Sequence, residues 1–175
     1  MKKKTSLLNL SNIGILNTFQ TYQLSDGSLV KVDIVDTAGQ ERFRSLSRSY
    51  YNKADGCLLV YDITSKETFE ELESYFLKRI KEFCKKDMKI ILLGNKTDLE
   101  EQRQVTQDEG ADFAKENGFD FMETSCLDNR NVADGFETLI ELAYFDSKKT
   151  NPENENNTIT LKDIKNENCV GRCCC

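Results

Sequence analysis

Two stretches carry residues whose types and spacing can do chemistry. The first runs Val32-Asp33-Ile34-Val35-Asp36-Thr37-Ala38-Gly39-Gln40-Glu41: an apolar, β-branched segment, then an aspartate, a turn containing glycine, and an amide. A carboxylate ending a buried strand reaches a metal directly or through water. Gly39 lets the backbone approach a ligand closely and offer its N–H to an anion. Gln40 is placed to orient an attacking water. Asp36-x-x-Gly39 alone reads as a strand, a tight turn and a polar loop; the full hexapeptide with a second motif at Asn95 argues for chemistry. That second stretch is Asn95-Lys96-Thr97-Asp98. Its carboxylate can accept two N–H bonds from a base with an exocyclic amine beside a ring N–H, a pair that guanine presents and adenine does not. An amide and a lysine stem can flank the ring. By themselves these four residues also suit a polar loop after a buried strand.

Composition narrows the setting. The 175 residues suit one domain with a core plus a tail, and the net charge of -6 argues against a nucleic-acid groove. The absence of histidine excludes His-based acid–base chemistry and Cys/His zinc sites. Cys57, Cys84 and Cys126 are scattered in apolar surroundings, whereas Cys169, Cys173, Cys174 and Cys175 crowd the end, which is no disulfide framework. No signal peptide and no apolar run of bilayer-spanning length is visible, so the expected compartment is the cytosol.

The elements that must position these residues follow from periodicity. Phe19 to Leu24 and Leu29 to Asp36 are strand candidates around Ser25-Asp26-Gly27-Ser28, and Asp-Gly predicts a hairpin whose two central residues both take positive φ. Cys57-Leu58-Leu59-Val60-Tyr61-Asp62 and Ile90-Ile91-Leu92-Leu93-Gly94-Asn95 are continuous apolar runs, as in strands buried on both faces, and Phe119 to Thr124 is a further strand. Thr64-Ser65-Lys66-Glu67 reads as a capping box opening a helix with Phe69, Leu72, Phe76, Ile80 and Phe83 on one face. Helices are also predicted over Thr106 to Asn117, closed by Gly118, and between Asn131 and Phe145. Alternating strands and helices imply an α/β fold with a doubly wound, mostly parallel sheet and one antiparallel hairpin. Ligands of such sheets bind at the carboxyl ends of the strands, where Asp36, Asp62, Asn95 and Ser125 fall. From Ser147 onward apolar residues become sparse, which predicts a disordered tail.

At these positions a family resemblance emerges. Asp36-Thr37-Ala38-Gly39-Gln40-Glu41-Arg42-Phe43, Tyr50-Tyr51, Ala54-Asp55-Gly56, Val60-Tyr61-Asp62, Asn95-Lys96-x-Asp98-Leu99 and Glu123-Thr124-Ser125 resemble the Ras-related small GTPases, and among them the Rab branch, from about Ile13 to Phe145. The resemblance implies a P-loop NTPase fold and a GTP/GDP switch with Mg2+. By matching position, Asp36 would hold magnesium through water, Gly39 would donate its N–H to the γ-phosphate, and Thr37 and Ala38 would lie against the nucleotide. Gln40 would position the hydrolytic water; Asn95, Lys96 and Asp98 would grip guanine, with Ser125 and the Cys126 backbone completing the pocket.

The departures from the family are equally specific. The family opens with a strand and a glycine-rich loop ending Gly-Lys-Ser/Thr, whose N–H groups wrap the phosphates and whose hydroxyl binds magnesium. This chain shows neither, yet Lys4-Thr5-Ser6-Leu7-Leu8-Asn9 resembles the segment beginning at that lysine, making Lys4 and Thr5 nucleotide contacts and Thr5 a magnesium ligand. Asn12 falls where the first switch's metal-binding threonine belongs, and Val35 where Rab proteins carry tryptophan. The resemblance thus implies a truncated or internally deleted member: residues 1–12 a remnant of the phosphate loop and first helix, 13–146 the GTPase domain, 147–175 a disordered tail. In the family's sheet the missing first strand is central, between the strands ending at Asp36 and Asp62. Its loss would leave two unpaired edges, each unsatisfied buried group costing about 1–3 kcal/mol. Either those strands pair directly or another segment fills the position. Poor nucleotide affinity and little hydrolysis are expected.

The terminus resembles Rab tails that receive two geranylgeranyl groups, which makes Cys173, Cys174 and Cys175 lipidation candidates. The family implies a prenylation escort and geranylgeranyl transferase, a GDP-dissociation inhibitor, an exchange factor, a GTPase-activating protein and effectors, at the cytoplasmic face of intracellular membranes. The expected role is a switch in vesicle traffic. The alternatives are a prenylated interaction protein without a nucleotide cycle, and a non-functional fragment from a faulty gene model.

Overall fold

A computed structural model of the chain describes residues 15–37, 52–150 and 158–165. In chain order the elements are β1 (Ile15–Gln23), β2 (Leu29–Thr37), β3 (Gly56–Asp62), a continuous helix α1 (residues 66–83), β4 (Lys89–Asn95), α2 (Gln107–Asn117), β5 (Asp120–Glu123), α3 (Val132–Thr150) and β6 (Thr158–Lys165). They form one six-stranded sheet in the order β1-β2-β6-β3-β4-β5, with β1 antiparallel to β2 and the other pairs parallel. The expected α/β class, parallel sheet and single antiparallel hairpin are all present.

The principal departure concerns β6. Residues 158–165 lie within the stretch expected to be a disordered tail, yet they occupy the middle of the sheet, between β2 and β3. This is the position that the resemblance assigns to the family's first strand. Pairing runs from Lys31–Thr158 to Thr37–Ile164 on one side and from Gly56–Leu161 to Val60–Lys165 on the other. The physical reason is backbone satisfaction. Two strands facing an empty central position would leave rows of buried N–H and C=O groups without partners, and an available extended segment supplies them. Residues 147–150, also placed in the tail, continue α3.

Strand burial follows the sequence pattern. Cys57, Leu59, Tyr61, Ile90 and Leu92 face α1 and α2, packing with Leu72, Phe76, Ile80 and Ala114. Leu58, Ile91 and Leu93 face α3, packing with Val30, Val32, Leu139, Ile140 and Ala143. Both faces of β3 and β4 are therefore covered, which is why those strands read as unbroken apolar runs. The hairpin forms as predicted, but with a different turn. Gly27 has φ 82, and no positive φ occurs at Asp26. The Gly27 N–H donates to the Leu24 carbonyl (3.0 Å) and the Asp26 carboxylate accepts from the Ser28 N–H (2.8 Å). A type I turn closed by a left-handed glycine needs one positive φ, not two.

The capping box expected at Thr64 is displaced. Ser65 is the N-cap of α1, its hydroxyl accepting from the Thr68 N–H, because the Thr64 hydroxyl is committed to Asp62 Oδ1 at 2.7 Å. A reciprocal box occurs instead at α2, where Thr106 caps Glu109 and the Glu109 side chain returns to the Thr106 backbone. Within α1, Leu72–Phe76 forms a π-helical turn that leaves Leu72 and Phe76 buried. α2 ends at Gly118 with φ 71, as its sequence predicts.

Two outcomes test this packing. A Cβ at Gly110 would overlap the Tyr61 hydroxyl and sit 2.8 Å from the Phe121 ring. The Tyr61 hydroxyl is buried with no hydrogen-bond partner among the described residues, and burial holds its pKa well above the ordinary tyrosine value. Gly110→Ala should therefore cost about 1–3 kcal/mol in urea unfolding. Tyr61→Phe should recover part of that loss, a coupling that a double-mutant cycle measures directly. At the cap, the Lys66 ammonium, then the Thr106 backbone and hydroxyl, hold the Glu109 carboxyl at about 2 instead of 4.5. A depressed folded-state pKa contributes stability that is present above about 4.5 and lost as pH falls toward about 2. Glu109→Gln should remove that segment of the acid limb, so the difference in Tm between the two proteins narrows across this interval.

Candidate functional site

The polar residues of the second motif converge where β3, β4 and β5 end. β4 closes with Asn95, which is 4% exposed. Its carbonyl accepts from the Ile63 N–H (3.0 Å) and its Oδ1 from the Thr124 hydroxyl (3.2 Å), so Asn95 fastens the segments that follow β3 and β5. Lys96 follows with φ 72, in the left-handed region uncommon for a residue with a side chain. The resulting sharp turn brings Thr97 back, its N–H and hydroxyl both donating to the Thr124 carbonyl at 3.1 and 3.0 Å.

Asp98 lies in the short helical turn Thr97–Gln102 and accepts the Ser125 hydroxyl at 2.6 Å. The Ser125 oxygen also accepts from the Asp128 N–H (3.0 Å), and two backbone bonds join Ser125 to Arg130. Ser125 is fully buried, so its hydroxyl holds the half-buried Asp98 carboxylate in one orientation at the rim. The Lys96 ammonium pairs with Asp62, whose other oxygen accepts from the Thr64 N–H (2.8 Å) and hydroxyl. Asp62 is 2% exposed, and a buried carboxylate needs such company.

A second layer supports this rim. The Arg103 guanidinium donates to both Glu100 oxygens (2.7 Å each), to both Glu123 oxygens (2.7 and 3.1 Å) and to the Val105 carbonyl (2.9 Å). It ties the Thr97–Gln102 turn to β5 directly behind Asp98. Glu100 and Glu123 hold Arg103 more firmly cationic, and Arg103 lowers the Glu100 pKa. Sequence reasoning missed this clamp. Glu100 and Arg103 show a helical i,i+3 spacing, but nothing local marks Glu123 as the second partner.

Of the candidate site residues, Asn95, Lys96, Asp98, Ser125 and Cys126 come together at this edge. Asp36 and Thr37 close β2, their backbones paired with Asp163 and Ile164 of β6 and with Leu16 and Ile15 of β1. Lys4, Thr5, Ala38, Gly39 and Gln40 lie outside the described residues, as do Cys173, Cys174 and Cys175. The donor set fits guanine: a fixed carboxylate for paired N–H donors, an amide, a lysine stem, and the backbone after Ser125.

This fold, with polar loops gathered at the carboxyl ends of its parallel strands, defines an α/β domain, and comparison with known proteins narrows the class. The Ras family profile matches residues 6–144. The chain is 40% identical over 165 residues to "Ras-related protein Rab-11B" of Dictyostelium discoideum, covering 94% of this chain and 71% of that protein. It is 39% identical over 166 residues to "GTP-binding protein ypt2" of Schizosaccharomyces pombe, covering 94% and 81%. Against "Ras-related protein RABA4b" of Arabidopsis thaliana it is 41% identical over 151 residues, covering 86% and 66%. The chain belongs to the Ras family of small GTPases, in its Rab-type branch.

Removing the clamp tests the support. Arg103→Ala strands the Glu123 carboxylate, which is 16% exposed, and should cost about 1–3 kcal/mol. Hydrogen exchange should quicken most in residues 97–102.

Proposed function

We propose that this chain is a Rab-type guanine-nucleotide switch of vesicle traffic, with selective base recognition and weak grip on the phosphates. One observation carries the reading: Asp98, fixed by Ser125 at 2.6 Å, stands at the sheet edge beside Asn95 and Lys96. A carboxylate held this way meets the ring N–H and exocyclic amine of guanine without reorganising, whereas adenine offers no matching donor pair. Asn95 and the Lys96 stem then border the ring, and Ser125 and the Cys126 backbone close the pocket.

The phosphate half rests on the resemblance alone. Gly39 would donate to the γ-phosphate, with Thr37, Ala38 and Lys4 alongside, and Gln40 would orient the water that attacks it. Magnesium bound to Thr5 and Asp36 would neutralise developing charge. β6 holds the central position between β2 and β3, from which that half of the family's site springs, and a triphosphate bound without a backbone cradle loses its strongest electrostatic partners. Two geranylgeranyl groups among Cys173, Cys174 and Cys175 would tether the protein to intracellular membranes. No helix among the described residues is long and apolar enough to cross one. The escort, transferase, dissociation inhibitor, exchange factor, activating protein and effectors of the family are the expected partners.

A prenylated interaction protein without a nucleotide cycle is the second reading. It is favoured by β6, which fills the position from which the family's phosphate loop would spring. Competition against a fluorescent GDP analogue separates the two. For the switch, guanine compounds displace it and adenine compounds do not, GDP exceeds guanosine by no more than about tenfold, and Asp98→Ala abolishes the discrimination. Absence of any guanine-dependent displacement supports the second reading; submicromolar retention of GTP contradicts the weak phosphate grip.

A further inference from the structure

Lys96 is held at both ends, and the turn it occupies accounts for only one of them. Its backbone takes φ 72, which is strained for a residue bearing a Cβ. The Lys96 carbonyl accepts from the Leu99 N–H at 2.9 Å, and its neighbours are fastened too, the Asn95 carbonyl by Ile63 and the Thr97 N–H by Thr124. These bonds fix the Cα and the direction in which the side chain leaves. The far end is fixed separately. In the parallel register Asp62 lies beside Asn95, within reach of the residue that follows. The Lys96 ammonium pairs with Asp62 Oδ2, and the two side chains are 22% and 3% exposed. Asp62 is itself clamped. Its Oδ1 accepts from the Thr64 N–H at 2.8 Å and the Thr64 hydroxyl at 2.7 Å, and its N–H donates to the buried Thr68 hydroxyl at 3.0 Å.

We propose that Asp62 is a positioning residue of the base pocket, an assignment that rests on the reading of residues 95–98 as a guanine site. Asp62 acts through Lys96: it pins the tip of the side chain, so that the methylene stem stands as a preformed wall for the purine ring. An unpinned lysine stem keeps most of its rotamer freedom, and a ligand that packs on it must take that freedom away. A stem already held has lost it on folding, which leaves more of the contact energy for binding. The pairing also settles what the wall offers. The ammonium charge is matched by the carboxylate, and the ring meets methylene groups. Asp98 reads the edge of the base, and Asp62 readies the surface on which the face of the base rests.

Displacement of a fluorescent GDP analogue from the full chain by guanosine, inosine and adenosine tests this. Asp62→Asn keeps the shape of the side chain and removes its charge. It should weaken guanosine and inosine alike, by about three- to tenfold. Their ratio should hold, because inosine lacks only the exocyclic amine that Asp98 reads. In a Lys96→Met background, where the stem remains and the ammonium is gone, Asp62→Asn should change affinity by no more than about twofold. Thr64→Val removes one bond that orients the carboxylate and should give a smaller loss of the same sign; it decides the matter should Asp62→Asn fail to fold. A purely structural Asp62 predicts otherwise: Asp62→Asn lowers Tm and leaves the affinity of the folded protein as it was, which overturns the proposal. An equal loss in the Lys96→Met background also overturns it, since Asp62 then acts by another route. These failures are distinct from failure of the site. A wild type with no preference for guanosine removes the guanine reading and this role together, whereas Asp98-dependent selectivity that Asp62→Asn leaves untouched in strength removes this role alone.

Discussion

The centre of a parallel sheet cannot stay empty. β2 and β3 each present a full row of backbone donors and acceptors toward the space between them, and among the described residues β6 alone joins the β1–β2 hairpin to β3, β4 and β5 through hydrogen bonds. The rest of the molecule depends on that junction. Val30 and Val32 reach the core under α3 only because β2 is held at one strand's remove from β3. The strand ends are brought to a common edge by the same parallel registers. β6 enters because leaving the space open would strand a row of backbone donors and acceptors on each side.

Much of this was legible in the residues, for reasons that also explain what was not. β3 and β4 announce themselves because burial on both faces demands apolar residues at every position. The helix over Gln107–Asn117 is marked at both ends, by Thr106 with Glu109 and by Gly118. That Asn95, Lys96, Asp98 and Ser125 gather at one edge is legible because the apolar runs before them mark where the parallel strands end. β6 was not legible: Lys162 and Asp163 break any apolar run, and its pairing partners β2 and β3 lie far away along the chain. Ser65 replaces Thr64 as the cap of α1 because the Thr64 hydroxyl is drawn to Asp62, a partner two residues back. The Arg103 clamp was hidden because Glu123 lies twenty residues away along the chain.

The polar rim at the ends of β3, β4 and β5 is built without β6. Asn95, Thr97, Asp98, Thr124 and Ser125 bond to one another and to the ends of β3, β4 and β5. Arg103 braces them from behind, and Lys96 closes the arrangement against Asp62. The rim and the end of β2, where Asp36 and Thr37 lie, therefore sit on separable parts of the sheet.

That separation sets the scale of what the rim can do alone. A few base-edge hydrogen bonds contribute about 0.5–1.5 kcal/mol each, more where a carboxylate accepts them. Association opposes them with a loss of motional freedom of about 4–15 kcal/mol. A pocket of this kind discriminates well and holds poorly. Under the reading proposed above, the rim would therefore supply selectivity between bases, and affinity would have to come from contacts to the rest of the ligand.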